Sequence, residues 1–344
     1  MNCIDLIETL NTILKNKTLS DISKEINVST ETIKRWYKLY NIPKSYTFEL
    51  LKLANIEIDY SNFNYKEKDQ FFTPNNTAEY CYLRFIEVIS KYNDYEKNYT
   101  FIEPSAGNGV FLKLLPNNRR IALDIEPKNN EIKKQDFLNW FPDKNKKYVV
   151  IGNPPFGLRG HLALKFLNHS AKIADYVCFI LPQLFESDGK GTPRKRVVGL
   201  NLIYSEKLNT NFESPTGKII KVECIFQVWS KYHTNDKYKI NKINTDIMKI
   251  YSLSNGGSSS TTRNKKMLYN CDIYIPSTCF GKDNMKYYDC FDKLPNKKGY
   301  GIIFFKDKKE NIQKFKNINW CEVAFLSTNS AYNIRLSHIV KCFI

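Results

Sequence analysis

The feature that most narrows what this chain can fold into is an apolar run, Tyr148–Gly152, that leads straight into Asn153-Pro154-Pro155-Phe156-Gly157. A short continuous apolar run bounded by turn residues reads as a strand, and the two prolines forbid the strand or a helix from continuing. A strand that is apolar at every position is buried on both faces, which is the situation of a parallel sheet covered by helices on either side. The neighbouring sequence repeats the theme. Residues 100–103, 120–125 and 176–181 read as further strands, and residues 76–92 and 162–174 as helices. Alternation of this kind predicts an α/β architecture. The spacing also predicts a helix opening over 108–115, an exposed polar loop over 186–216, one strand over 218–229, and a low-complexity loop over 251–262. Residues 1–60 differ, reading as short helices. Thr18 and Asp21 form a capping-box pattern, Asn27 sits at a turn, and Ser29 or Thr30 can start a helix running to about Tyr40. The expected domains are therefore 1–60, 61–250 and 251–344.

Charge narrows the partners. Lys and Arg number 52 against 35 Asp and Glu, a formal net charge of +17 in 344 residues. Such an excess favours a polyanion, nucleic acid before an acidic membrane surface. No apolar run approaches the roughly 20 residues of a membrane span. The nine cysteines are scattered without a C-x-x-C or zinc-ligand spacing, so no metal site is expected and reduced thiols in a cytoplasmic setting are.

Two loops carry the chemistry. Glu103-Pro104-Ser105-Ala106-Gly107-Asn108-Gly109 follows a strand, and its glycines allow close backbone approach to a ligand. Leu112 stands where the third glycine of a dinucleotide fingerprint belongs, which disfavours NAD. Asp124, ending the second strand, is placed to accept both hydroxyls of a ribose. Asp136 could accept from an adenine amino group, with Phe137 covering the ring. In the second loop, the Asn153 side-chain oxygen and the Pro154 carbonyl can both accept from one –NH₂ group, while Phe156 stacks on a flat ring. Two acceptors pulling on an aromatic amine help its nitrogen pyramidalise, as methylation of that nitrogen requires.

With these residues in this order, the chain resembles the S-adenosylmethionine-dependent DNA N6-adenine methyltransferases, in the arrangement that puts the cofactor motif ahead of the catalytic one. Lys68-Asp69-Gln70-Phe71-Phe72-Thr73-Pro74 resembles that family's upstream cofactor motif, and the likeness covers about residues 65–232. It implies a Rossmann-like class I methyltransferase sheet with S-adenosylmethionine as cofactor. Carried over, Phe72, Thr73 and Pro74 close over the methionine moiety. Glu103 lies near its ammonium, with Pro104, Ser105, Ala106, Gly107 and Gly109 alongside. Asp124 takes the ribose, Ile125 borders the adenine, and Asp136 and Phe137 hold that adenine. Asn153, Pro154, Pro155 and Phe156 are catalytic, Asn153 also bordering the cofactor. Trp229, or else Phe226, joins Phe156 against a target base flipped out of the duplex.

The segment from Thr18 to Tyr40 resembles a helix-turn-helix, which would put Thr30, Lys34, Arg35 and Lys38 on double-stranded DNA. Lys190, Arg194, Lys195 and Arg196 are candidate phosphate contacts. The C-terminal part is expected to carry mixed structure and target recognition. No nuclease motif is evident, so any cleavage would belong to a partner such as a cognate restriction endonuclease. An orphan or phage methylase, an RNA adenine N6-methyltransferase, N4-cytosine chemistry, and a helix-turn-helix regulator with a vestigial core stay open as alternatives.

Overall fold

The structure, a computed structural model, describes residues 5–187, 192–239, 246–255, 262–263, 265–291, 294, 298–326 and 331–343. Four helices open the chain: α1 (Leu6–Leu14), α2 (Leu19–Glu25), α3 (Thr30–Leu39) and α4 (Thr47–Leu53). Thr18 and Asp21 complete a reciprocal capping box on α2, and Ser29 caps α3. Asn27 takes the left-handed conformation at the turn between them, with φ of 55°. Leu10, Ile13, Ile22, Ile26, Ile33, Trp36 and Leu50 form the buried centre of this module.

The middle of the chain is an α/β, Rossmann-like layer. It comprises α5 (Asn75–Ser90), β1 (Thr100–Glu103), β2 (Arg120–Asp124), β3 (Lys133–Lys134), β4 (Tyr148–Gly152), α6 (His161–Ile173), β5 (Tyr176–Pro182), β6 (Asn201–Leu208), β7 (Asn211–Glu213), β8 (Ile219–Lys221) and β9 (Cys224–Ser230). Seven strands form one sheet in the order β3-β2-β1-β4-β5-β9-β6, and β9 alone runs against its neighbours. Every residue of β4 and β5 is buried, as the apolar run requires. The two-residue period of a strand divides them. Val149 and Ile151 meet α5 through Phe85 and Cys81, whereas Val150 meets α6 through Leu164 and Leu167. The chain leaves β1 toward β2 and β3, then returns to the other side of β1 as β4. That reversal opens a crevice beyond the carboxyl ends of β1 and β4, the place where open α/β sheets bind ligands.

Three sequence expectations change here. No α-helix forms over 108–115: Leu112–Leu114 make a single 3₁₀ turn, because the buried Glu103 carboxyl group takes the Leu112 N–H at 2.7 Å and Pro116 blocks elongation. Residues 186–216 are not one loop. They hold β6 and β7, and Thr192, Pro193 and Arg194 are buried. The strand expected over 218–229 is two, β8 and β9; among the described residues β8 pairs with β7 alone, as a separate hairpin.

The C-terminal unit begins earlier than residue 251. β10 (Met248–Asn255) pairs with β11 (Thr262–Arg263) and β14 (Gly299–Phe304), and β14 with β12 (Ile273–Pro276). β13 (Thr278–Cys279), β15 (Phe325–Leu326) and β16 (Tyr332–Asn333) form a second small sheet; α7 (Lys308–Asn317), α8 (Trp320–Val323) and α9 (Leu336–Lys341) complete the unit. Met248 packs with Ile302, Phe304, Phe315 and Trp320, so β10 belongs to this core rather than to a loop. The Leu326 N–H donates to Gln183 Oε1 at 3.1 Å, tying the unit to the carboxyl end of β5. Among the described residues, no helix is long and apolar enough to cross a membrane.

Candidate active site

The two loops singled out in the sequence meet at the crevice. After β4 the backbone turns through residues 153–157, and Leu162 and Ala163 donate their N–H groups to the Phe156 carbonyl, which starts α6. The start of the loop is held from two sides. Ser105 Oγ donates to the Asn153 carbonyl at 3.2 Å, and Asn153 Nδ2 donates to Thr73 Oγ1 at 3.2 Å. With its amide nitrogen thus engaged, Asn153 turns Oδ1 into the interior, where that oxygen is buried and has no hydrogen-bond partner. A buried acceptor without a donor is costly, of order 1–3 kcal/mol, and calls for a partner such as a ligand or a water. Pro154 is buried, and Phe156 is half-buried between the two faces of the sheet core.

Around the other loop, Asp124 joins the turns that follow β1 and β2. Its Oδ2 accepts from Gly107 N–H at 2.7 Å and its Oδ1 from Glu126 N–H at 2.8 Å. Each oxygen keeps a lone pair for a hydroxyl. Gly107 has φ of 51°, and a Cβ there would come within 3.3 Å of the Phe72 ring, so the missing side chain is what lets Phe72 lie over the turn. Phe72 is itself fixed by an antiparallel bridge to Glu213, at 2.7 and 3.0 Å. Ile125, Pro74 and Ser105 are half-buried around the crevice.

Several expected roles shift. The turn does not present free N–H groups at a helix start, because Ala106 donates to Leu123, Gly107 to Asp124 and Gly109 to Ala106. Glu103 is only 1% exposed and points beneath the loop to the Leu112 amide. Phe137 is 1% exposed and stacks on Phe166, with ring centroids 5.3 Å apart, so its ring belongs to the core rather than to a ligand. Asp136 caps Leu138 N–H through Oδ1 and ion-pairs through Oδ2 with Lys52 of α4 at 2.9 Å. Neither aromatic proposed for the target base reaches the site. β9 runs antiparallel, so Trp229 pairs with Val177 near the start of β5, at the far end from the crevice, and is 3% exposed. Phe226 is fully buried opposite Ile180.

The basic candidates divide in the same way. Lys34, Arg35 and Lys38 are exposed on α3 and Thr30 is half-buried at its start; Lys34 pairs with Glu31 at 2.8 Å. Arg194 is buried, donating to the carbonyls of Glu186 and Tyr238, and so serves the fold. Lys195 is exposed and Arg196 half-buried, while Lys190 lies outside the described residues. The module that carries α3 reaches the crevice through the Lys52–Asp136 pair, a link that sequence reading missed.

Burial pushes the Glu103 carboxyl up to about 8, against the stabilising pull of the Leu112 and Phe111 amides. The folded protein therefore keeps this proton to about pH 8, while the unfolded chain loses it near 4.5. Between those values the folded state binds more protons, so this group's contribution to stability falls as pH rises and is level above. Glu103→Gln should flatten that part of the curve. Thermal melts from pH 5 to about 8.5 check this, and a wild-type-minus-variant difference independent of pH would refute it.

The fold has distant likenesses among solved structures. A protein from Pyrococcus horikoshii, provisionally assigned as an RNA methyltransferase, is 18% identical with a TM-score of 0.36, over 47% of this chain and 86% of that one. A Thermoplasma acidophilum protein is 16% identical with a TM-score of 0.33, over 45% and 85%. A chain of a type I restriction–modification system is 13% identical with a TM-score of 0.34, over 68% and 62%. No family model and no curated protein matches the sequence.

The site fits the ribose of an adenosine-bearing cofactor. Asp124 offers acceptors for a diol, and the missing side chain at Gly107 lets Phe72 lie over the turn. These residues suit S-adenosylmethionine.

Proposed function

We propose that this protein is an S-adenosylmethionine-dependent methyltransferase acting on adenine N6 in duplex DNA. The observation that carries the reading is Asn153 Oδ1, a buried acceptor with no donor at the end of β4, in a loop that also offers the Pro154 carbonyl. An exocyclic –NH₂ group supplies two donors to such a pair, and Phe156 supplies a ring for the base to stack on. Bound S-adenosylmethionine would supply the methyl group to the amine lone pair, the C–S bonding pair staying with its sulfur. The extra proton is then acidic and passes to water, so no strong base is needed beforehand. Asn153 orients the amine, Thr73 and Ser105 orient Asn153, and Asp124 anchors the ribose of the cofactor. With Trp229 and Phe226 buried elsewhere, Phe156 is the aromatic assigned to the flipped base.

The net charge fits either nucleic acid; the helix-turn-helix-like pair α2 and α3, with the exposed cations of α3, favours duplex DNA. Replacing Lys34, Arg35 and Lys38 together with alanine should weaken duplex binding at all sequences and flatten its salt dependence by about 0.9 per lost phosphate contact. Anisotropy titrations at several salt concentrations measure both, and an unchanged slope would leave α3 a packing element. Point variants are preferable to deleting residues 1–60, because deletion also removes Lys52 from Asp136.

The direct test is transfer from labelled S-adenosylmethionine to unmethylated duplex DNA, with RNA and protein as parallel acceptors, followed by nucleoside mass spectrometry. N6-methyladenine in DNA supports the proposal. N4-methylcytosine or label in RNA alone would replace it, and absence of cofactor binding would return the chain to the regulator reading.

A further inference from the structure

Asp69 has no role in the chemistry described so far, yet its position is unusual. Its backbone is left-handed, with φ of 52°. The turn before it fixes that backbone: Asp69 N–H donates to the Lys66 carbonyl and Gln70 N–H to the Tyr65 carbonyl, at 3.2 and 2.8 Å. The side chain then reaches across 88 residues of sequence, where Oδ2 accepts from Gly157 N–H at 2.7 Å. Burial pushes the carboxyl above the usual range, while the Gly157 and Phe156 amides both favour its charged form. Four residues later Thr73 holds Asn153, and between them Phe72 lies over Gly107. The short segment 69–74 thus grips the catalytic loop at both ends, Asn153 at its start and Gly157 at its close.

We propose that Asp69 is a positioning residue that pins the end of the catalytic loop to the segment closing over the cofactor crevice, so that the Asn153 acceptor is set before a target amine arrives. What the loop does rests on the methyltransferase reading; the clamp itself does not. A carboxylate suits the task because it only accepts, and two adjacent backbone N–H groups only donate. Asparagine keeps one accepting oxygen and brings an NH₂ group toward donors. Glycine removes the clamp while easing the left-handed backbone, which separates loss of the carboxylate from a backbone defect.

The experiment compares wild type, Asp69→Asn and Asp69→Gly by hydrogen–deuterium exchange, calorimetric S-adenosylmethionine titration, thermal melting and methyl-transfer kinetics on the duplex DNA identified as substrate. Exchange at the Phe156 and Gly157 amides should be at least about tenfold faster in Asp69→Gly, since an amide that loses its acceptor opens more freely. kcat should fall about 30-fold or more, with KM and cofactor Kd within about threefold, as when a catalytic group is misplaced without loss of binding. Asp69→Asn should fall between. Wild-type exchange rates in Asp69→Gly would overturn the clamp. Faster exchange with unchanged kcat, or a fall in activity that only tracks a lower melting temperature, would overturn its positioning role. If wild type transfers methyl to no acceptor, the reading of function fails, and the exchange rates still decide the clamp.

Discussion

Asn153→Ala should reduce methyl transfer by a factor of about 10²–10³ while leaving S-adenosylmethionine affinity within about threefold, by analogy with removal of one preorganised polar group from a transition state. The side chain contributes in two ways that alanine removes together. Its Oδ1 is the acceptor that an incoming amine completes, and its Nδ2 ties the loop to Thr73. In the free protein the unpaired oxygen is a cost and the bond to Thr73 a gain of about the same size, so the variant should melt within a few degrees of wild type. That combination separates a catalytic acceptor from a structural asparagine, which would lose stability and activity in parallel. Single-turnover transfer, cofactor calorimetry and a thermal melt on one preparation check it. Retained transfer would remove Asn153 from the mechanism.

What the sequence made legible was local. The unbroken apolar runs of β4 and β5 announce strands buried on both faces, and two prolines after Gly152 announce a stiff loop. The capping box at Thr18 and the left-handed Asn27 are decided within a few residues, and both are in the structure. The expectations that changed depend on partners far away in sequence. Glu103, nine residues before Leu112, takes the amide that a helix over 108–115 would have needed. Whether Trp229 or Cys224 lies nearer the crevice turns on the direction of β9, which an apolar run does not encode. Phe137 could cover a ligand or a core, and packing against Phe166 and His169 from α6 decides for the core. Asp69 stood in a stretch already marked for its aromatic and Thr-Pro residues, but its partner is 88 positions away, and no local spacing points to it.

Gly157→Ala is the second large effect, and it should act on geometry rather than on any chemical group. Gly157 has φ of 65°, and a Cβ there would lie 2.6 Å from the Leu162 Cβ and 3.0 Å from the Leu162 backbone nitrogen. The left-handed backbone costs an L-residue roughly 1–2 kcal/mol, and overpacking adds typically about 1–3 kcal/mol. Relief by moving Leu162 is resisted, because Leu162 lies in the first turn of α6 and its N–H is bonded to the Phe156 carbonyl at 3.1 Å. The loop must yield instead, and the amide it would move is the one that Asp69 accepts. Displacement by about 1 Å is enough to cost 10²-fold in rate. The variant should therefore lose about 2–5 kcal/mol of stability by the sum of those two costs, and its remaining folded fraction should transfer methyl groups about a hundredfold more slowly. Urea titration gives the first quantity and single-turnover kinetics at low temperature the second. Leu162→Gly in the same chain removes the Cβ at 2.6 Å and leaves only the backbone contact at 3.0 Å. Recovery of rate in that double variant would place the defect in the contact between loop and helix, whereas no recovery would place it in the glycine's own backbone.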